Sequence, residues 1–256
     1  MITSTSNPQV KQLLQLQKKA KERTAQDVFV VEGIKMYQEV PEDRLVQTYV
    51  SESFYEKKKE IFAKGQQVTV LSDRVFESVS DTKTPQGVLC LVRQYHYSLS
   101  DLLKGCPLVM ALENIQDPGN LGTILRTAEG AGVTGVLMSA GCVDIYNPKV
   151  IRSTMGSVYR MPFHYAKDWT ESLSALKRAG ISIYAAHLKG TGTHDEQDYR
   201  KPSAFLIGNE SKGLTEETAA FADTYIRIPM CGQVESLNAA VASAILMYEA
   251  NRQRRN

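Results

Sequence analysis

Three short segments concentrate the side chains that could grip a polar ligand or move a proton. The first is NIQDPGNLGTILRTAEG (114–130). Pro118-Gly119-Asn120 forms a turn, Gly122 lets the backbone approach a ligand closely, and Arg126 follows near the start of a helix. A cation there opposes the helix dipole, so Arg126 is poorly placed for stability and suits a phosphate. The second is FLIGNESKGL (205–214), a buried-strand pattern running into Gly208, Asn209, Glu210 and Gly213. The third is IPMCGQVESLNAAVASAI (228–245), where Pro229 ends a strand and Ser236 and Asn238 open a helix. Plainer readings stand beside these: a surface arginine, a strand-to-helix turn, and Ser236 as an N-cap.

Other common site patterns are missing. There is no G-x-G-x-x-G after a strand, no phosphate-binding P-loop and no G-x-S-x-G elbow. GTGTHD (190–195) has Asp195 in the third glycine position. The four cysteines, Cys90, Cys106, Cys142 and Cys231, have no C-x-x-C spacing, and the four histidines form no ligand pattern. The thiols are expected to be reduced and structural, and no metal is expected.

The elements that must position the three segments alternate in kind. Strand patterns at 108–114, 135–141, 181–188, 203–210 and 224–230 alternate with helical patterns at 121–132, 170–180, 215–222 and 236–255. That is a parallel α/β domain, and each of the three segments lies beyond the C-terminal end of a strand, where such sheets bind ligands. The earlier part reads as a smaller α/β unit. Its helix at 8–23 has Asn7 as cap, Pro8 at the first position, and Val10, Leu13, Leu14 and Leu16 near one side. Strands at 27–33, 45–51, 67–72 and 87–92 follow. The expected division is residues 1–92, a linker at 93–106, and residues 107–256.

Composition bounds the function loosely. The 256 residues carry 30 Lys+Arg and 28 Asp+Glu, a net charge of +2. The first 24 residues alone hold Lys11, Lys18, Lys19, Lys21 and Arg23 against Glu22, a local charge of +4. Such a run is either a solvated helix face or a footprint for an RNA backbone. No apolar run approaches the roughly 18–20 residues of a membrane span. The first residues lack a secretory apolar segment, so a cytoplasmic protein is expected.

Taken together, the three segments resemble the SpoU/TrmH branch of the SPOUT RNA methyltransferases. The motif N-x-G-x-x-x-R-x-A matches Asn120 to Ala128, G-N-E-x-x-G-L matches Gly208 to Leu214, and I-P-M-x-G-x-x-x-S-L-N matches Ile228 to Asn238. NPKVIRSTMGSVYRMPF (147–163) is similar to the family's N-P-K-x-x-R-x-S-x-G stretch, with Thr154 in place of the usual serine. The N-terminal part is similar to the substrate-binding domain of the ribosomal-RNA members, so the resemblance covers nearly the whole chain. It implies an α/β fold: a C-terminal domain with a parallel sheet and a deep trefoil knot, plus a small N-terminal α/β RNA-binding domain. It also implies a homodimer through the C-terminal domain.

The implied reaction is transfer of a methyl group from S-adenosylmethionine to a ribose 2′-hydroxyl of RNA, with ribosomal RNA the leading substrate. On the resemblance, the cofactor contacts Leu206, Ile207, Gly208, Ile228, Met230 and Leu237. Arg126 and Asn120 face the RNA, and Glu210, Ser236 and Asn238 line the reaction centre. The RNA meets Lys11, Lys18, Lys19, Lys21, Arg23 and Arg152, with Arg252, Arg254 and Arg255 a further basic cluster. An arginine normally stays protonated, so Arg126 is expected to hold phosphate and orient the ribose. Rival readings are a transfer-RNA 2′-O-methyltransferase, a catalytically silent RNA-binding assembly factor, and a small-molecule enzyme using a nucleotide. The missing nucleotide motifs weigh against the last.

Overall fold

The computed structural model of the chain describes residues 1–62, 66–190 and 192–255. It divides into two compact units. The first comprises Met1–Tyr95 and Asp144–Tyr159, the second His96–Val143 and Arg160–Asn256.

The first unit opens with α1 (Pro8–Lys18), capped by the Asn7 side chain, which accepts from Gln9 N at 2.9 Å. Val10, Leu13 and Leu16 fall on its buried side. Next come α2 (Ala20–Gln26), β1 (Val28–Glu32), α3 (Ile34–Gln38), β2 (Leu45–Ser51) and α4 (Glu52–Lys58). The unit's sheet is completed by β3 (Val68–Leu71) and, after α5 (Asp73–Val79), by β4 (Val88–Arg93). The strand order is β1-β4-β2-β3; β4 runs antiparallel to both neighbours and β2 pairs with β3 in parallel. Leu13 and Leu16 of α1 pack with Phe76 and Val79 of α5 and with Leu89 and Leu91 of β4.

The second unit contains β5 (Leu108–Leu112), α6 (Pro118–Ala131) and β6 (Gly135–Met138). The chain then passes through α7 (Pro148–Thr154), which belongs to the first unit. It returns as β7 (Phe163–Tyr165), α8 (Trp169–Arg178), β8 (Ser182–Ala186), β9 (Gly192–Thr193) and β10 (Ser203–Ile207). Then follow α9 (Glu216–Ala219), β11 (Thr224–Arg227) and α10 (Ala239–Arg255). The sheet order is β7-β6-β5-β10-β8-β11-β9, and every pair is parallel. Strands β5, β6 and β10 are buried along their whole length, as a sheet covered on both faces requires.

The observed division departs from a simple cut at 93–106, because residues 144–159 return to the first unit. The reason is packing: Tyr146 stacks on Phe29 with ring centroids 4.7 Å apart, and Tyr159 Oη donates to Met36 O at 3.0 Å. The sheet order also fixes where a ligand belongs. From β5 the chain steps outward through β6 and β7, whereas from β10 it steps the other way to β11. The ends of β5 and β10 therefore flank a switch point, the crevice in which open α/β sheets bind ligands.

Candidate active site

The loop after β5 is built around a cap. Asp117 accepts from Asn120 N at 2.8 Å and starts α6, with Pro118 at its first position. The helix thus begins three residues before the expected 121, and Arg126 sits about two turns in. The dipole acts mainly over the first turn, so it is not what singles Arg126 out. Arg126 is exposed and makes no hydrogen bond or ion pair among the described residues. The N–H groups ahead of α6 face a carboxylate of the chain itself: Gln116 N and Asp117 N donate to Glu210 at 3.2 and 3.1 Å.

The loop after β10 is a closed turn. Asn209 and Gly213 exchange both backbone hydrogen bonds, at 3.1 and 2.9 Å, and Asn209 Oδ1 accepts from Ser211 N and Lys212 N. Gly208 cannot carry a side chain, because a Cβ there would lie 2.1 Å from the backbone carbon of Gly213. Asn209 Nδ2 donates to Asn114 O at 2.8 Å. Glu113, buried at the end of β5, accepts from Thr215 N, Thr215 Oγ1 and Thr218 Oγ1. The loop is therefore tied at both ends to residues 113–120.

The loop after β11 runs irregularly from 228 to 238. Asn238 Oδ1 accepts from Ala240 N and Val241 N, so Asn238 caps α10. Ser236 is not the cap, and the helix begins at Ala239 rather than at the expected 236. With its oxygen committed to α10, Asn238 points its Nδ2 at Asn120 Oδ1, 2.9 Å away. Asn120 Nδ2 in turn donates to Glu210 Oε1 at 3.0 Å. A carboxylate only accepts, so Glu210 fixes the orientation of the Asn120 amide, which then matches the donor offered by Asn238.

These side chains line a cavity of about 730 Å³, together with Gln116, Pro118, Ser211 and Leu237. The three expected reaction-centre residues, Glu210, Ser236 and Asn238, meet there with Asn120, whereas Arg126, expected beside Asn120 on the RNA, is not in the lining. Burial pushes the Glu210 carboxyl up, but the Asn120 amide and the N–H groups of Asp117 and Gln116 outweigh it. The net effect holds the carboxyl below its ordinary value. Glu210 is thus an ionised, hydrogen-bonded anchor.

Of the expected cofactor residues, Leu237 lines the cavity, while the Leu206 and Ile207 side chains are buried in the sheet. That leaves their backbone as the part able to meet a ligand. Gly208, Ile228 and Met230 are half-buried and outside the lining. Lys11, Lys18, Lys19 and Lys21 are exposed.

Arg23 is a correction. It is 4 % exposed, donates to Leu16 O and Gln17 O at 2.6 and 3.0 Å, and pairs with Asp144. Its charge is spent inside the first unit. Arg152 is paired with Asp81. Arg254 donates to the carbonyls of Tyr199, Cys106, Pro107 and Lys201 at 2.8–2.9 Å, and Arg252 pairs with Glu249, so neither guanidinium is free. Asn114 and Asp117 join the site without being singled out by the sequence reading, and Asn209, named there as part of the second segment, gains a specific contact to Asn114. Asp117 before Pro118 is a readable cap signal, whereas the partners of Asn114 and Asn209 are distant in sequence.

Comparison with known proteins identifies the family. Residues 107–248 match the SpoU rRNA Methylase family, and residues 7–90 match the MRM3-like substrate binding domain. The chain is 32 % identical to the 23S rRNA (guanosine(2553)-2′-O)-methyltransferase RlmP of Bacillus subtilis, over 96 % of this chain and 97 % of that protein. It is 33 % identical to an uncharacterized tRNA/rRNA methyltransferase of Synechocystis, over 98 % and 93 %. The crystal structure of the AdoMet-bound rRNA methyltransferase from Sinorhizobium meliloti superposes with a TM-score of 0.85, at 32 % identity, covering 98 % of this chain and 97 % of that one. On the matched motifs, the matched length and the shared fold, the chain belongs to the SpoU rRNA methylase family.

Proposed function

We propose that the chain transfers the methyl group of S-adenosylmethionine to a ribose 2′-hydroxyl of ribosomal RNA. The observation that carries this is the bond series Asn238–Asn120–Glu210, which gathers the loops after β11, β5 and β10 around one cavity. The full-length match to a 23S rRNA 2′-O-methyltransferase and the MRM3-like domain at residues 7–90 favour ribosomal over transfer RNA.

The residues present fit the cofactor. A cavity of about 730 Å³ is within the roughly 300–1,000 Å³ of small-molecule sites, and its ionised Glu210 suits a positively charged sulfur. Leu206–Gly208, Ile228, Met230 and Leu237 would hold the cofactor, chiefly through backbone. When bound, S-adenosylmethionine supplies an electrophilic methyl group.

The chain's own task is then alignment and removal of one proton. Asn120 and Asn238 are tied to each other, and Asn120 to Glu210, so the wall is set before RNA arrives. The Ser236 hydroxyl makes no hydrogen bond among the described residues and is left to meet the acceptor ribose. Arg126 holds an RNA phosphate through its guanidinium fork, and the hydroxyl proton leaves to water.

Residues 1–92 serve as the RNA-gripping part through Lys11, Lys18, Lys19 and Lys21, and residues 107–256 as the catalytic part. The chain acts as a homodimer through α10, where Val241 and Tyr248 lie seven residues apart and are 49 % and 50 % exposed. A trefoil knot is supported by the sheet order, in which β11 inserts between β8 and β9, strands that succeed one another in the chain. Among the described residues no helix is long and apolar enough to cross a membrane, and work in the cytoplasm is part of this proposal.

The test is transfer of labelled methyl from S-adenosylmethionine to ribosomal RNA lacking its 2′-O-methyl groups, with the product mapped. A single 2′-O-methylated ribose in ribosomal RNA is expected. Methylation of transfer RNA alone, or cofactor binding without transfer, would overturn the reading.

A further inference from the structure

We propose that Asn114 is a positioning residue for methyl transfer: its left-handed turn at the end of β5 determines where Glu210 and Asn120 stand in the cavity. The inference rests on the functional reading above. Asn114 has φ +55°, a region that side-chain-bearing residues rarely adopt and that asparagine tolerates best. It does not line the cavity, so it contributes through other groups.

Several restraints hold the turn. Asn114 N donates to Ser139 Oγ at 2.9 Å, and Ser139 Oγ donates back to Asn114 Oδ1 at 3.1 Å. The Asn114 carbonyl accepts from Asn209 Nδ2 at 2.8 Å. A Cβ on Gly141 would lie 1.9 Å from Asn114 Oδ1, so this pose requires glycine at 141. An unusual backbone conformation persists only where its surroundings over-determine it, and such places cluster at functional sites.

What the turn achieves lies just downstream. Ile115 is buried and its carbonyl accepts from Val143 N at 2.8 Å. The next two N–H groups, of Gln116 and Asp117, then converge on the one Glu210 carboxylate. An extended residue at 114 would carry the chain straight on from β5, and successive N–H groups would diverge. Asn114 also grips the partner loop, because its donor Asn209 is the residue beside Glu210. It therefore sets both sides of the Glu210 contact.

The test compares the full-length chain with Asn114→Ala and Asn114→Gly. Alanine loses the side-chain bonds and resists positive φ; glycine loses the same bonds but takes positive φ freely. Three quantities are read: kcat and KM with ribosomal RNA, the Kd of S-adenosylmethionine, and the Glu210 carboxyl titration by NMR. For Asn114→Ala we expect kcat to fall by about tenfold or more, with KM and Kd within about threefold. The Glu210 titration should move up toward the ordinary carboxyl value, and Asn114→Gly should recover part of both changes. An Asn114→Ala protein with unchanged kcat and unchanged Glu210 titration would overturn the proposal. So would losses of kcat, KM and Kd together with no recovery in Asn114→Gly. If Asn114→Ala does not fold, Ser139→Ala is read by the same criteria. A wild-type chain that methylates no ribosomal RNA would instead overturn the functional reading, and the Glu210 titration would still decide the role of Asn114.

Discussion

The Asn120 amide donates to the Glu210 carboxylate at 3.0 Å, and this bond joins the loop after β5 to the loop after β10. The same amide accepts from Asn238 on its other side, so one side chain holds three loops in register. That arrangement makes several outcomes measurable.

Glu210→Gln should lower kcat by about 10–100-fold, since misplacing a positioning group by an ångström has effects of that size. The Glu210 carboxyl is held below its ordinary 4.5: burial raises it, but the Asn120 amide and nearby N–H groups prevail. Its contribution to stability is therefore present above the ordinary carboxyl value and is lost as pH falls through the folded-state value. Glu210 does not titrate near neutrality. The pH–rate profile of Glu210→Gln should show a lower plateau and any inflection between pH 6 and 9 unmoved.

Arg126 is exposed on α6 with its guanidinium uncommitted among the described residues. Arg126→Ala should reduce kcat/KM for RNA by about tenfold or more and leave the Kd of S-adenosylmethionine unchanged, as calorimetry would report. Arg126→Lys should restore the charge but not the paired geometry, and so recover only part of the activity. Full activity in the lysine variant would remove the fork-specific role.

Arg254 holds four backbone carbonyls from two segments, 106–107 and 199–201. Arg254→Ala leaves them without that donor and should cost about 2–4 kcal/mol, measured by denaturant unfolding. A change below about 0.5 kcal/mol would mean that water replaces the guanidinium without loss.

Arg23 and its neighbouring lysines should separate cleanly. Arg23→Ala removes the buried partner of Asp144, which keeps Tyr146 N, and leaves the Leu16 and Gln17 carbonyls without that donor, so it should destabilise by about 1–3 kcal/mol. Lys18→Ala with Lys21→Ala should leave the unfolding midpoint alone. That pair should weaken RNA binding and flatten its dependence on log salt by about one to two units of slope. An unaltered salt slope would place the RNA elsewhere.

Much of this was legible in the sequence where neighbours in the chain are neighbours in the fold. Asn7 and Pro8 announce α1, and Gly208 and Gly213 announce a closed turn. Pro118-Gly119-Asn120, expected as a turn ahead of the helix, instead form the first turn of α6 behind the Asp117 cap, because the apolar pattern that marks the helix begins only at Leu121. Ser236 and Asn238 are both good caps, and a local rule cannot choose between them. The choice is made by Asn120, over a hundred residues away, which needs the Asn238 amide beside it. Arg23 was misread for the same reason. In sequence it is one more cation in a basic run, and its partner Asp144 belongs to a segment that returns to the first unit.

That returning segment bears on how the gene can be cut. The chain visits the first unit twice, so no single break releases it, and removing residues 1–95 would leave 144–159 behind. Tyr146 would lose Phe29, Asp144 would lose Arg23, and Tyr159 would lose the carbonyl of Met36. The N-terminal part is thus no detachable cassette: a shuffling event that swapped it would have to rewrite a short stretch in the middle of the catalytic half as well.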